Sequence, residues 1–124
     1  MTEATPLLRQ INPAFIQQGR VTSQAFRPTP KDRQELSVYD GDLITPEGAW
    51  RHFTDGGFRS VGVLAVTVGE CRTEGLAARP SPEQFPEHAV IDFGDFTGSQ
   101  AEKRGKRLKD LAWSRGWLHR ADGA

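Results

Sequence analysis

One apolar run limits what this chain can fold into more than any other part of it. Residues 57–68 read GFRSVGVLAVTV, and from Val61 onward only Gly62 and Thr67 interrupt the apolar residues. So many β-branched residues in so short a run favour a strand that is buried on both faces over a helix. We therefore predict an interior strand at the centre of a small sheet, covered above and below by other elements.

The length of the chain suits a single domain. Its 124 residues provide one hydrophobic core and leave no room for a second independent one. A domain of this size buries roughly two-thirds of the surface that its unfolded chain exposes, so it needs no disulfide or metal to fold. We predict one globular α+β domain over residues 1–124, with residues 1–6 frayed and residues 119–124 flexible.

Two segments carry the start and stop signals of helices. Thr45 suits an N-cap, Pro46 suits the first helical position, and a glycine pair follows ten residues on. Ser99 and Glu102 have the spacing of a capping box ahead of a helical pattern that Gly116 ends. We predict a short central helix and a C-terminal amphipathic helix that packs on the sheet.

Shorter apolar stretches predict the rest of a mixed sheet. They lie at residues 7–11 (a short strand or helical turn), 21–26 (an extended segment), 36–39 (a strand) and 88–93 (a strand). Residues 69–76 suit a short helix or turn, and prolines make stiff loops of residues 27–32 and 78–86. This order of elements is typical of a compact α+β domain.

Charge and cysteine content argue against several classes of protein. Sixteen basic residues balance sixteen acidic ones, so no global field draws the chain to nucleic acid or to an anionic membrane. Cys71 is the only cysteine, which leaves no internal disulfide and no cysteine metal site. The N-terminal residues lack the apolar core of a signal peptide, and no apolar run reaches the ~18 residues of a membrane span. We expect a cytoplasmic protein without cofactor or metal.

The C-terminal helix is the basic part of the chain. Residues 99–124 carry seven basic and three acidic residues, net +4, whereas the preceding part carries nine and thirteen, net −4. Such a face suits phosphates or an acidic partner, although a solvated face opposite an apolar stripe is the simpler interpretation. Lys103, Lys106 and Arg107 are candidate binding residues. Nucleic acid is the weaker alternative, because no aromatic residues interleave with this cluster.

A proline-stiffened segment nearer the N-terminus concentrates polar side chains. Ser23, Gln24, Arg27 and Lys31 place a hydroxyl, an amide and two cationic heads around one loop, and loops held by a scaffold are where binding residues concentrate. In the simpler interpretation, Phe26 fills the core and its neighbours are ordinary surface. We take the four polar residues as candidate binding residues.

The histidines and the cysteine are the residues with catalytic potential. His52, His88 and His119 are scattered, without the spacing of a metal or catalytic motif. A partly buried, hydrogen-bonded imidazole is the plain interpretation of His52, and a general base is the alternative. Cys71 suits a small packed hydrophobe, with a nucleophile as the alternative. The sequence therefore favours a protein that is not an enzyme.

One arrangement of residues resembles a known class of fold. Arg9, then Ser23–Phe26, then residues 36–39 with the helix after Thr45 follow an order similar to that of ADP-ribosyltransferase-like domains, including RES domains. The resemblance covers less than half of the chain and rests on short motifs. It implies an enzyme that uses NAD, with Arg9, Ser23, Tyr39 and Glu70 as the residues that carry the activity.

Three functions follow from the sequence, in order of preference. The first is a non-enzymatic accessory protein, similar in kind to an antitoxin or immunity protein, that binds another protein. Self-association is open, because an acidic body and a basic helix suit contact between copies. The second is the NAD-using enzyme. The third is nucleic-acid binding through the basic helix.

Overall fold

The computed structural model describes residues 1–121 of the chain. The strands in this part are β1 Pro6–Gln10, β2 Ile16–Gln17, β3 Arg20–Val21, β4 Glu35–Asp40, β5 Gly62–Thr67, β6 Ala77–Pro80, β7 His88–Asp92 and β8 His119–Arg120. The helices are α1 Pro46–Asp55, α2 Val68–Thr73 and α3 Gly98–Arg115, together with 3₁₀ turns at Pro13–Phe15, Ser23–Phe26 and Pro30–Asp32.

One sheet organises the molecule. Its strand order is β6-β7-β4-β1-β5-β8, and β2 pairs with β3 in a separate hairpin. Helices and sheet together confirm the predicted α+β class. The described pairings in the large sheet all run antiparallel, so the mixed sheet that we predicted is, more narrowly, an antiparallel one.

The valine-rich run forms β5, and β5 is an interior strand. It lies second from one edge of the sheet and not at the centre as predicted. It pairs with β1 on one side and with the two-residue edge strand β8 on the other. Strands β4 and β1 occupy the middle of the sheet. A continuous apolar run shows only that both faces of a strand are covered, and it carries no information on the strand's position in the order.

The two faces of the sheet have separate cores. Leu64 and Val66 of β5 pack into a large cluster on the side of α3, whereas Val63 and Ala65 pack into a smaller cluster on the side of α1. All four side chains are buried, as period-2 alternation requires when both faces are covered. The smaller core leaves part of its sheet face open, and the candidate site lies there.

Helix α1 has the boundaries that its sequence predicts. The Thr45 hydroxyl accepts a hydrogen bond from the Gly48 N–H at 3.0 Å, Pro46 opens the helix, and Gly56 caps its end. Helix α3 ends before Gly116 as predicted.

The start of α3 was predicted wrongly. Thr97 is the N-cap and its side chain makes no capping bond. Left-handed Gly98 (φ 52°) turns the chain into the helix one residue ahead of the predicted cap, so Ser99 lies inside the first turn. Within the described residues, no helix combines the length and the apolar character needed to cross a membrane.

The segment Ser23–Phe26 is a 3₁₀ turn, and the predicted extended structure is wrong. Ala25 and Phe26 are consecutive residues of this segment, and both are fully buried. Consecutive side chains of a strand would point to opposite faces. The Ala25 N–H donates to the Thr22 carbonyl at 3.2 Å and closes the turn. Helix α3 packs directly on this turn, where Gly105 leaves space for the Ser23 and Phe26 carbonyls.

Residues near both ends of the described chain make regular contacts with the rest of the fold. Thr5 is buried and Pro6 begins β1. His119–Arg120 pairs with Gly62 and the following residue of β5, and residues 122–124 lie outside the described part. Strand β6 also falls partly in the predicted proline-rich loop, because an edge strand tolerates Pro80.

Candidate functional site

A cleft of about 370 Å³ opens on the α1 face of the sheet. Its floor is formed by β1 and β4, where Leu8, Gln10, Ser37 and Tyr39 share one face by alternation along each strand. Helix α1 and the turn after it make one wall, and the loop of residues 81–87 makes the other. The wall residues are His52, Phe53, Gly56, Phe58, Gln84 and Phe85, and His88 of β7 completes the floor.

The walls are mainly aromatic. Phe53 stacks on Phe58 with ring centroids 5.0 Å apart, and Phe58 is 63% exposed at the rim. On the opposite wall, Phe85 lies 4.5 Å from His52 and 5.1 Å from Tyr39, measured between ring centroids. Aromatic faces that partly meet solvent provide area for stacking a flat molecule.

Gln10 is the unusual residue of the floor. The residue is only 6% exposed, and neither its amide nitrogen nor its amide oxygen has a hydrogen-bond partner among the described residues. A buried polar group left without a partner costs about 1–3 kcal/mol. Gln10 is among the residues that line the cleft.

Tyr39 links the floor to α1. Its hydroxyl oxygen lies 2.8 Å from His52 Nδ1. Burial, and secondarily the negative charge of Glu87, raise the pKa of the Tyr39 phenol to about 12. The phenol is therefore neutral across the physiological range, and it offers a polar contact beside the ring of Phe85.

A second polar chain crosses the other side of the floor. Ser37 is exposed and its hydroxyl oxygen lies 3.2 Å from Nε2 of buried His88. The other ring nitrogen of His88, Nδ1, lies 2.8 Å from the carbonyl oxygen of Ser81. The imidazole is thus held between the floor of the cleft and its loop wall.

The four residues that the ADP-ribosyltransferase resemblance implies are spread over the molecule. Arg9 and Tyr39 both border the cleft, but the Arg9 guanidinium donates to the carbonyls of Ala25 at 2.6 Å and Ser37 at 3.0 Å. Burial lowers the pKa of Arg9 to about 10, against an opposing effect of Asp32.

The other two of those residues lie away from the cleft. Ser23 belongs to the turn that packs on α3, near Gly105. Glu70 is in α2, where its carboxylate accepts from both terminal nitrogens of Arg115 at 3.1 and 2.8 Å. The structure therefore brings two of the four residues to one cavity and leaves the others in structural contacts.

None of the predicted binding residues lines the cleft. Gln24 and Arg27 border a second cavity of about 620 Å³ beside the start of α3, and Lys31 is exposed. On the helix, Lys103 and Lys106 are exposed. Arg107 differs from them, because it donates to Glu74 at 2.9 Å.

No motif in the sequence marks Gln10, Ser37 or Phe85 as site residues. Alternation along β1 does place Gln10 on the same face as Leu8. The convergence of these residues depends on β1 pairing with β4 and β4 with β7, which no local pattern encodes.

Neither known proteins nor metal-ligand geometry assigns this cleft a function. Comparisons with protein-family models, curated proteins and solved structures found no match. Over residues 1–121, no group of three or more His, Cys, Asp or Glu side chains is placed to hold a metal ion. The geometry of the cleft is therefore the basis on which a function can be proposed.

Proposed function

We propose that the protein binds a small planar molecule carrying a carboxamide, or a group with the same donor and acceptor, in the cleft between α1 and the loop of residues 81–87. The observation that supports this is the buried amide of Gln10, which lacks a partner among the described residues. An amide offers one acceptor and two N–H donors. A carboxamide facing it would satisfy both polar ends at once.

The size and lining of the cleft support a ligand of this kind. A volume of about 370 Å³ falls at the small end of the range for ligand pockets, roughly 300–1,000 Å³. Such pockets combine apolar and aromatic walls with a few placed polar groups. Here the aromatic walls include Phe53, Phe58 and Phe85, and the polar groups include Gln10 and the Tyr39–His52 and Ser37–His88 pairs.

Titration with benzamide tests the proposal by calorimetry. Acetophenone is the matched ligand, because it keeps the ring and carbonyl and replaces the amide NH₂ by a methyl group. For so small a ligand we expect a Kd on the order of 1 mM for benzamide and weaker binding of acetophenone. Nicotinamide has the same carboxamide on a flat ring and should bind similarly.

Two variants make the test specific to Gln10. Gln10→Met keeps the length of the side chain and removes both polar ends, so we expect benzamide affinity to fall roughly tenfold. Gln17→Met is the control, because Gln17 is exposed in β2. Equal benzamide affinity in wild type and Gln10→Met, or no binding to wild type at all, would contradict the proposal.

The macromolecule-binding functions from the sequence remain predictions. Exposure of Lys103 and Lys106 on α3 is compatible with a basic contact face for an acidic protein or, as the weaker alternative, for nucleic acid. Replacing both lysines by glutamate should abolish any such association. The same change should leave benzamide binding intact, since α3 packs on the other face of the sheet.

A further inference from the structure

Ser37 and His88 form a hydrogen-bonded pair on the floor of the cleft. The distance from Ser37 Oγ to His88 Nε2 is 3.2 Å. The two residues come from neighbouring strands, since Val38 of β4 pairs with Ala89 of β7 and Ser37 lies next to this pair. Ser37 is exposed toward the cleft and His88 is 6% exposed beneath it. The solvent-accessible Ser37 hydroxyl is therefore in contact with the buried imidazole of His88.

The protonation pattern of His88 follows from its second contact. A carbonyl oxygen can only accept, so Nδ1 at 2.8 Å from the Ser81 carbonyl carries the hydrogen and donates it. In the neutral ring, Nε2 then has a free lone pair. The Ser37 hydroxyl donates to that lone pair, which is the direction of proton transfer that a general base requires.

The backbone keeps the imidazole in this orientation. The Ser81 N–H donates to the His88 carbonyl at 2.9 Å, so residues 81 and 88 hold each other through backbone and side chain together. Phe85 lies against the ring with centroids 5.1 Å apart. A nucleophile, a base in contact with it and a third group that orients the base is the arrangement that activates a serine hydroxyl.

We propose that Ser37 is a nucleophile activated by His88, and that the cleft accepts small esters or other activated acyl compounds as substrates. This inference rests on the proposed function, because it uses the same cleft as the binding site. It adds a reaction class, acyl transfer to water, to a site proposed above only as a binding site.

The reaction balances with groups that the protein holds. Ser37 Oγ forms a bond to the carbonyl carbon while its proton passes to His88 Nε2. The carbon–oxygen bond to the leaving group then breaks, and the leaving oxygen takes that proton from His88. Water repeats the sequence on the acyl-serine: it gives a proton to His88 and forms a bond to the acyl carbon, and Ser37 leaves with the proton. The Ser81 carbonyl stabilises the imidazolium that forms twice in this cycle.

Covalent labelling with diisopropyl fluorophosphate tests the nucleophile directly. Ser37 Oγ would bond to phosphorus, fluoride would leave, and the serine proton would leave through His88. We expect one adduct by intact-mass spectrometry, located on Ser37 by peptide mapping and absent from Ser37→Ala. Ser99→Ala is the control, since Ser99 is an exposed serine on α3, and it should label as wild type does. Absence of an adduct on Ser37 in wild type would overturn the proposal.

A cysteine at position 37 tests activation without changing buried His88. In Ser37→Cys, the imidazole should draw the thiol proton and raise the rate of alkylation by iodoacetamide about tenfold or more over Ser99→Cys at pH 7. Native Cys71 does not interfere, because it is fully buried. If the thiol of the Ser37→Cys variant reacts no faster than that of the Ser99→Cys variant, the proposal is overturned.

The two proposals for this cleft fail separately. Benzamide should slow labelling of Ser37 if both are right. Benzamide binding together with an unlabelled Ser37 would overturn the nucleophile and leave the binding function standing. Labelling of Ser37 without any benzamide binding would support the nucleophile and overturn the carboxamide site.

Discussion

Replacing Gln10 by methionine should make the protein more stable while it weakens ligand binding. The Gln10 amide is buried, and its two polar ends have no partner among the described residues. Methionine has a similar length and no strong donor or acceptor to leave unsatisfied. Removing an unsatisfied buried group recovers its desolvation penalty. A residue that destabilises the fold and serves a site is the trade-off expected at functional positions.

The expected gain is about 1–3 kcal/mol in the free energy of unfolding, the cost of one buried unsatisfied polar group. For a domain of this size, that corresponds to a rise in Tm of roughly 3–6 °C for each kcal/mol. Urea denaturation followed by fluorescence measures it, because the three tryptophans report on folding. Gln17→Met, on the exposed side of β2, should change stability by less than about 0.5 kcal/mol.

The opposite result would refute the reasoning. If Gln10→Met is less stable than wild type by about 1 kcal/mol or more, then the amide is satisfied within the folded protein. In that case Gln10 has no need of a ligand, and the proposed carboxamide site loses its main support. If Gln10→Met is more stable than wild type but binds benzamide equally well, the amide is unsatisfied but does not contact the ligand. That result would refute the binding role of Gln10 alone.

Three further predictions concern other parts of the molecule. Tyr39 is the only tyrosine, so a near-ultraviolet absorbance titration should show one phenol with a pKa of about 12. The stability that the buried neutral phenol contributes should be fully present below about pH 10 and should be lost as the pH rises toward 12. Titration at the ordinary value would show that the phenol is not buried. Burial acts to raise the pKa of Glu70, but hydrogen bonds, first among them those of Arg115, lower it overall. Wild type should therefore be more stable than Glu70→Gln by about 0.5–1 kcal/mol above about pH 4.5, and it should lose that advantage as the pH falls further. A stability difference that persists in acid would contradict the ion pair. Gly62→Ala would place a Cβ 2.5 Å from the His119 carbonyl oxygen. It should lower the free energy of unfolding by about 1–3 kcal/mol in urea denaturation. An unchanged free energy of unfolding would show that β8 does not pack there.

Local signals account for the elements that the sequence predicted well. Thr45 and Pro46 specify the start of α1 without reference to the rest of the chain. Strands β4 and β7 match the predicted residues 36–39 and 88–93, since each is a short apolar stretch bounded by polar residues and turns. These signals act within a few residues, so they are readable from a single sequence.

Two of the errors arose where tertiary contacts decide the structure. Residues Ser23–Phe26 alternate in sequence but form a turn, because α3 packs on them and buries two adjacent side chains. The position of β5 in the sheet depends on its pairing with β1 and β8. Both features are long-range, and no propensity or periodicity reports them.

The candidate site was the least predictable feature for the same reason. Gln10, Ser37 and His88 come from three strands, and their proximity depends on the order β7-β4-β1. From sequence, His88 is an isolated histidine in an apolar stretch, and Gln10 is a polar residue within the predicted stretch of residues 7–11. Their significance follows from the absence of a partner for Gln10 among the described residues and from the 3.2 Å contact of His88 with Ser37.

The side-chain amide protons of Gln10 test the central claim most directly. In a heteronuclear NMR titration, benzamide should shift the Gln10 Nε2 proton signals in a saturable way, with a midpoint that matches the Kd from calorimetry. Acetophenone should shift them less at the same concentration, because it lacks the N–H donors that pair with the Gln10 carbonyl. Signals of Gln10 that stay unchanged while benzamide saturates the protein would show that the ligand binds elsewhere, and would contradict the assignment of this cleft.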